Sequence, residues 1–151
     1  MMINKISFFS IALIFVLSSC KSVVYTPSTL PSEKLVFGYG GGFNPKPVEF
    51  IMLKNGQIFT TGISADTLEC VRIKKSIAKK AFDNYYSAFN AVKGPGTPGN
   101  TYRFIDLQKD STSKKYVWNN KQFDRNIDSL YHVFKKLVEF QTVPVDTTLK
   151  Q

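Results

Sequence analysis

Few residues of this chain could do chemistry. Two cysteines, Cys20 and Cys70, and one histidine, His132, are its soft and imidazole ligands. No Cys-x-x-Cys or His-x-x-Glu-His string occurs, so only carboxylates remain to hold a metal. Asp106 and Asp110 flank a polar turn without forming a calcium loop, and the expected metal set is none. Cys70 would need a nearby base to act as a nucleophile, and His132 lies far along the chain beside Tyr131, one residue off an apolar stripe. That spacing predicts a buried core thiol for Cys70 and a boundary position for His132. Ser76-Ile77-Ala78-Lys79 matches the Ser-x-x-Lys string, but the Ser-Asp-Asn and Lys-Thr-Gly partners of that chemistry are missing. Ser76 is expected to cap a helix instead. Gly38-Tyr39-Gly40-Gly41-Gly42-Phe43 fails as a phosphate loop, because Phe43 stands where the last glycine belongs and no Lys-Ser/Thr follows. No cofactor is expected.

The strongest local signal is at the other end of the problem, in the first twenty residues. Lys5 precedes an unbroken run from Ile6 to Leu17 that is apolar but for two serines, too short to span a bilayer and of the length of a signal-peptide core. It closes on Leu17-Ser18-Ser19-Cys20. This resembles the lipobox of bacterial lipoproteins, in which the Cys thiol takes a diacylglycerol, the signal (here 1–19) is removed, and the new amino group is acylated. Several acyl chains, at about 0.8 kcal/mol per buried CH₂, hold far better than one. By the sorting rules that the resemblance implies, Lys21 in place of Asp argues against inner-membrane retention. With no acidic residue until Glu33, the run also differs from surface-export signals. The implied position is the cell envelope, lipid-anchored through Cys20, in the outer membrane facing the periplasm.

With Cys20 lipidated, Cys70 has no partner, and an unpaired thiol in an oxidising compartment is best buried. Residues 20–34, rich in Ser, Thr and Pro, read as an extended tether. A single domain is expected over 35–140, and a loosely held tail over 141–151. Its strands are expected over Leu35–Tyr39, Val48–Leu53 and Gln57–Thr61, the last two joined by Asn55-Gly56 as a type I′ hairpin. An apolar stripe of helical period follows from Ile77 to Phe89, starting either at Asp66 with Glu69 as its capping partner or at Ser76. Thr101–Leu107 and Ser113–Trp118 read as two further strands, and Phe123–Val138 as a second amphipathic helix. The βββα-ββα order predicts an α+β fold: an antiparallel sheet of four to five strands with both helices on one face.

Gly40 to Phe43, Val48 to Leu53, Asn55-Gly56-Gln57-Ile58-Phe59 and Gly99-Asn100-Thr101-Tyr102 together resemble, over 35–118, small Bacteroidota outer-membrane lipoproteins of unknown function. The resemblance implies fold and localisation and no activity. The chain is basic, with 20 Lys and Arg against 11 Asp and Glu and a net charge of +9. Arg72, Lys74, Lys75, Lys79 and Lys80 cluster without an acidic residue among them, and Arg72, Lys75, Lys79 and Lys80 are candidate contacts to an anionic surface. A tethered envelope domain rarely meets nucleic acid, which is not an expected partner; protein, glycan and anionic lipid are. The 38–47 stretch is expected as a loop carrying partner contacts at Tyr39, Gly40, Gly41, Gly42 and Phe43, with Phe43 packed inward and Tyr39 free. The functional expectation is a non-catalytic, membrane-anchored binding or structural module. Two alternatives stand beside it: a small periplasmic hydrolase or transferase using Glu49 and Asp106, and an enzyme inhibitor using the 38–47 loop as a wedge.

Overall fold

A computed structural model describes residues 23–61, 66–94 and 96–139, with 44 and 45 described by backbone alone. Cys20 with its lipobox and the tail from 141 lie outside the described residues. After a short 3-10 turn at Pro27–Thr29 come β1 (Lys34–Gly41), β2 (Asn44–Met52), β3 (Gln57–Thr61) and β4 (Thr67–Arg72). Helix α1 (Lys75–Ala91), β5 (Thr101–Lys109), β6 (Thr112–Trp118) and helix α2 (Arg125–Glu139) complete the order. All neighbours are antiparallel in one six-stranded sheet, ordered β4-β3-β2-β1-β5-β6. No helix among the described residues is long and apolar enough to cross a membrane.

The fold is α+β, as the element order predicts, but the sheet has six strands rather than four or five. The extra one is β4, where a helix starting at Asp66 was one of two alternatives. A bulge hides the strand's period: Val71 pairs with Ile58 and Glu69 with Phe59, leaving Cys70 unopposed between them. Ser76 is not the cap of α1 either. Lys74 occupies that position without a side-chain hydrogen bond, and Ser76 falls inside the first turn. In α2 a true cap exists: the Asp124 carboxylate accepts from the Asn126 and Ile127 N–H groups at 2.9 and 3.1 Å.

Asn55-Gly56 does turn the chain between β2 and β3, by a different geometry from the expected type I′. Only Gly56 has positive φ, at 98°, and its N–H donates to Leu53 O at 3.0 Å. That is a type I turn closed by a left-handed glycine, and the Asn55 side chain accepts from Gln57 N–H to hold it.

Side chains alternate across the sheet as period two requires. Leu35, Phe37, Met52, Ile58, Ile105, Tyr116 and Trp118 join Phe82, Tyr85, Ile127 and Phe134 of the helices in one core, so both helices cover the same face. The Tyr85 hydroxyl lies within hydrogen-bond reach of the carbonyls of Ile105 and Lys114, at 2.7 and 2.9 Å. Burial, and then Asp106, pushes its ionisation upward, so it stays a neutral donor.

The opposite face is not solvated. Val36, Ile51, Leu53, Phe59 and Phe104 form a second buried cluster, with Tyr25 and Leu30 packed against it. Those two residues belong to the stretch read as an extended tether, which instead makes specific contacts with the domain. Gln57, 1% exposed, is the clamp. Its amide oxygen accepts from Tyr25 N–H at 2.8 Å and Asn55 Nδ2 at 2.6 Å, while its nitrogen donates to Tyr25 O at 3.0 Å and Glu69 at 2.7 Å. Asn55 Nδ2 also donates to Val23 O at 2.8 Å.

Candidate functional site

The 38–47 stretch is not a loop. Strands β1 and β2 run almost into each other, Gly41 pairs with Asn44, and only Gly42 and Phe43 lie between. With φ of 69° at Gly42 and no positive φ at Phe43, the turn is of the II′ kind, which demands glycine at its first central position. The inhibitor reading loses its long wedge by this. Phe43, expected inside, stands fully exposed at the tip, since a two-residue turn leaves its side chain nothing to pack against. Tyr39 is 42% exposed, in keeping with the free ring expected there. Its replacement by Ala, and that of Phe43, should each change stability by less than about 1 kcal/mol. Melting curves of the two variants check this, and a large drop for either would mean that its ring is packed.

Tyr39 does not stand alone. The register of β1 on β5 sets it directly across from Arg103. Helix α2 then crosses that end of the sheet, and Tyr39, Gly40, Gly41, Thr101, Arg103, Asn120, Tyr131, His132 and Lys135 line a cleft of about 370 Å³. Its floor is held by Asp128. One carboxylate oxygen accepts from Arg103 Nη1 at 3.0 Å and from the indole N–H of fully buried Trp118 at 2.9 Å. The other lies 3.5 Å from His132 Nε2. The Tyr131 ring stands edge-on to Trp118, and the Arg103 guanidinium lies 5.6 Å from the Tyr131 ring centre. Burial pushes the Tyr131 hydroxyl up to about 12, Arg103 pulls against this and Tyr39 adds to it, so Tyr131 is a neutral hydrogen-bonding group at physiological pH.

Such a lining suits recognition. It offers tyrosine faces and hydroxyls, a planar guanidinium already fixed by a carboxylate, and the Lys135 ammonium, 3.2 Å from Glu139. Sequence reasoning found Tyr39, Gly40 and Gly41 of this set. Arg103, Tyr131 and Lys135 were missed, and His132 was placed only as a boundary residue, half-exposed as the structure has it.

The other candidates lie elsewhere. Glu49 and Asp106 sit on the strands either side of β1, opposite Gly38 and Val36 respectively, and neither lines the cleft. Both Asp106 oxygens are engaged, by Ser113 Oγ at 2.7 Å and Gln108 Nε2 at 2.8 Å. Cys70 is half-buried rather than fully buried, packed against the helix-side core with its thiol 3.4 Å from Ile58 O. Burial raises its ionisation, which keeps it a thiol rather than a nucleophilic thiolate. Arg72 is spoken for by a two-point contact with Glu69, at 2.8 and 3.1 Å. Lys75, Lys79 and Lys80 are exposed along α1. Among the described residues no three His, Cys, Asp or Glu side chains converge as a metal site.

No protein-family model matches the chain, and no curated protein sequence is significantly similar to it.

Proposed function

We propose that this chain is a lipid-anchored protein of the bacterial cell envelope, held in the outer membrane by acylated Cys20, and that it is a non-catalytic binding module. Its binding site is the cleft between the β1 end and α2, and its partner carries an anionic group beside a planar or apolar face. One observation carries the binding reading: the exposed Tyr39 ring shares a cleft with the Arg103 guanidinium, Tyr131 and Lys135. Arg103 is held in place by Asp128 with its remaining donors uncommitted to that carboxylate oxygen, which suits it to a carboxylate or phosphate. The anchoring half of the proposal rests on the order of Lys5, the apolar run and Leu17-Ser18-Ser19-Cys20, which resembles a bacterial lipobox, and on the separate resemblance of residues 35–118 to Bacteroidota lipoproteins.

Both halves can be tested in cells. Cys20→Ala should move the protein from the membrane to the soluble fraction; persistence with the outer membrane would place the anchor elsewhere. A photo-reactive phenylalanine analogue replacing Tyr39 should give a discrete adduct in whole envelopes. The same analogue at exposed Leu68 of β4, far across the sheet, should not. Equal labelling at both positions, or none at Tyr39, would sink the cleft as the binding site.

A further inference from the structure

The contacts of residues 23–30 tie the chain that follows Cys20 to one end of the domain. Val23 O is bonded by Asn55 Nδ2, and Tyr25 is bonded at both its N–H and its C=O by the buried Gln57 amide. Only two residues separate Val23 from Cys20, so three Cα–Cα steps, about 11 Å at most, join the docked chain to the acylated cysteine. A domain so held cannot swing as one on a fifteen-residue tether would.

The same end is positively charged. Val23, Lys54, Asn55 and Lys75 line one cleft. The β2–β3 turn bonds the start of α1, with Ile73 N–H donating to Gly56 O at 2.8 Å. Lys79 lies one helical turn beyond Lys75 on the same stripe, with Lys80 beside it. Of the acidic residues near this end, Glu33 pairs with Lys54 at 2.6 Å, Glu69 pairs with Arg72, and Asp110 accepts from Ser32 Oγ at 2.9 Å, while Asp83 is the single acidic residue of α1 against its three lysines. Lys74, Lys75, Lys79 and Lys80 have no ion-pair partner among the described residues. Val23 and Val24, each 60% exposed, add apolar surface next to them.

We propose that this end, formed by Val23, Val24 and the lysines at the start of α1, rests on the anionic phospholipid headgroups of the leaflet that holds the anchor. The inference rests on the lipoprotein reading above. It goes further in giving the domain one orientation. Strand β1 runs from this end, where Leu35 pairs with Met52, to the Gly42-Phe43 turn, about 23 Å away at the usual rise of a strand. The Tyr39 cleft therefore points away from the bilayer, open to a partner. Headgroup charge supplies the attraction, and salt should weaken it.

The test uses the full-length lipidated protein in vesicles of phosphatidylethanolamine and phosphatidylglycerol. Ser76→Cys and Phe43→Cys, each in a Cys70→Ser background, carry a fluorophore, and the vesicles carry a headgroup-attached quencher. Quenching at position 76 should exceed that at 43 several-fold. Lys75→Glu with Lys79→Glu and Lys80→Glu should narrow that difference while the protein still floats with the vesicles, and a difference unchanged by the charge reversal would overturn the headgroup contact. Equal quenching at both positions, or stronger quenching at 43, on a protein that floats and whose Cys20 is acylated by mass spectrometry, overturns the orientation alone. An unmodified Cys20 overturns the anchor, and the orientation with it.

Discussion

Gly38→Ala is expected to destabilise the domain by about 3 kcal/mol, lowering its melting temperature by on the order of 10 °C. Gly38 lies in the central strand, where β1 is flanked by β2 and β5. A β-carbon there would collide with the carbonyl oxygen of Val48 and meet Phe104 Cζ at 3.0 Å. The first neighbour is backbone and the second a ring buried in the far-side cluster, so neither can swing aside. The strand pairing must open to admit the methyl group. Gly94→Ala is the control. Gly94, unlike Gly38, has positive φ, at 98°, and nothing lies within 4 Å of its added carbon. Only the conformational term remains there, about 1 kcal/mol. Urea titration of the two variants decides the matter: a Gly38→Ala cost no larger than that of Gly94→Ala would mean the strands do not approach so closely.

That close approach shows why part of the fold was legible and part was not. The hydrophobic period placed α2 and most strands, because a buried face imposes 3.6 or 2.0 on the residues that make it. The same reasoning goes blind where a strand is buried on both sides. Leu35-Val36-Phe37 is a continuous apolar run because alternate residues enter different cores. Nothing in the run says that Tyr25 and Leu30 cover the second one. Strand β4 was obscured by the bulge at Cys70, and by Ile73, which follows it at once and extends the apparent helical stripe. Glycine-rich composition between 38 and 42 suggested a loop. In the fold Gly38 admits a close neighbour strand, while Gly41 and Gly42 make a tight turn. The cleft was half-legible for a related reason. Tyr39 announced itself as an aromatic among glycines. Its companions come from β5 and α2, and only the register Tyr39 to Arg103 and the lie of α2 bring them together.

Asp128 is the residue on which that meeting depends, and Asp128→Ala is expected to cost about 3 kcal/mol. The carboxylate oxygen that accepts from Trp118 Nε1 also accepts from Arg103, so one truncation orphans two donors at once. Trp118 is fully buried and has no water to turn to, while Arg103 loses its counter-charge beside the Tyr131 ring. Asp128→Asn separates the two contributions. The amide keeps an oxygen for the indole N–H but gives up the charge, so its cost should be about half as large. Trp118 is the sole tryptophan, and its emission reports the event directly. Urea unfolding followed by that emission should rank wild type above Asp128→Asn and Asp128→Ala last. The same order should appear in photo-crosslinking from position 39, because an Arg103 released from Asp128 no longer presents a fixed guanidinium to the cleft. Stability equal to wild type in both variants would remove Asp128 as the anchor of the site. A loss of stability with crosslinking unchanged would leave it a structural residue and move recognition to Tyr39 and Tyr131 alone.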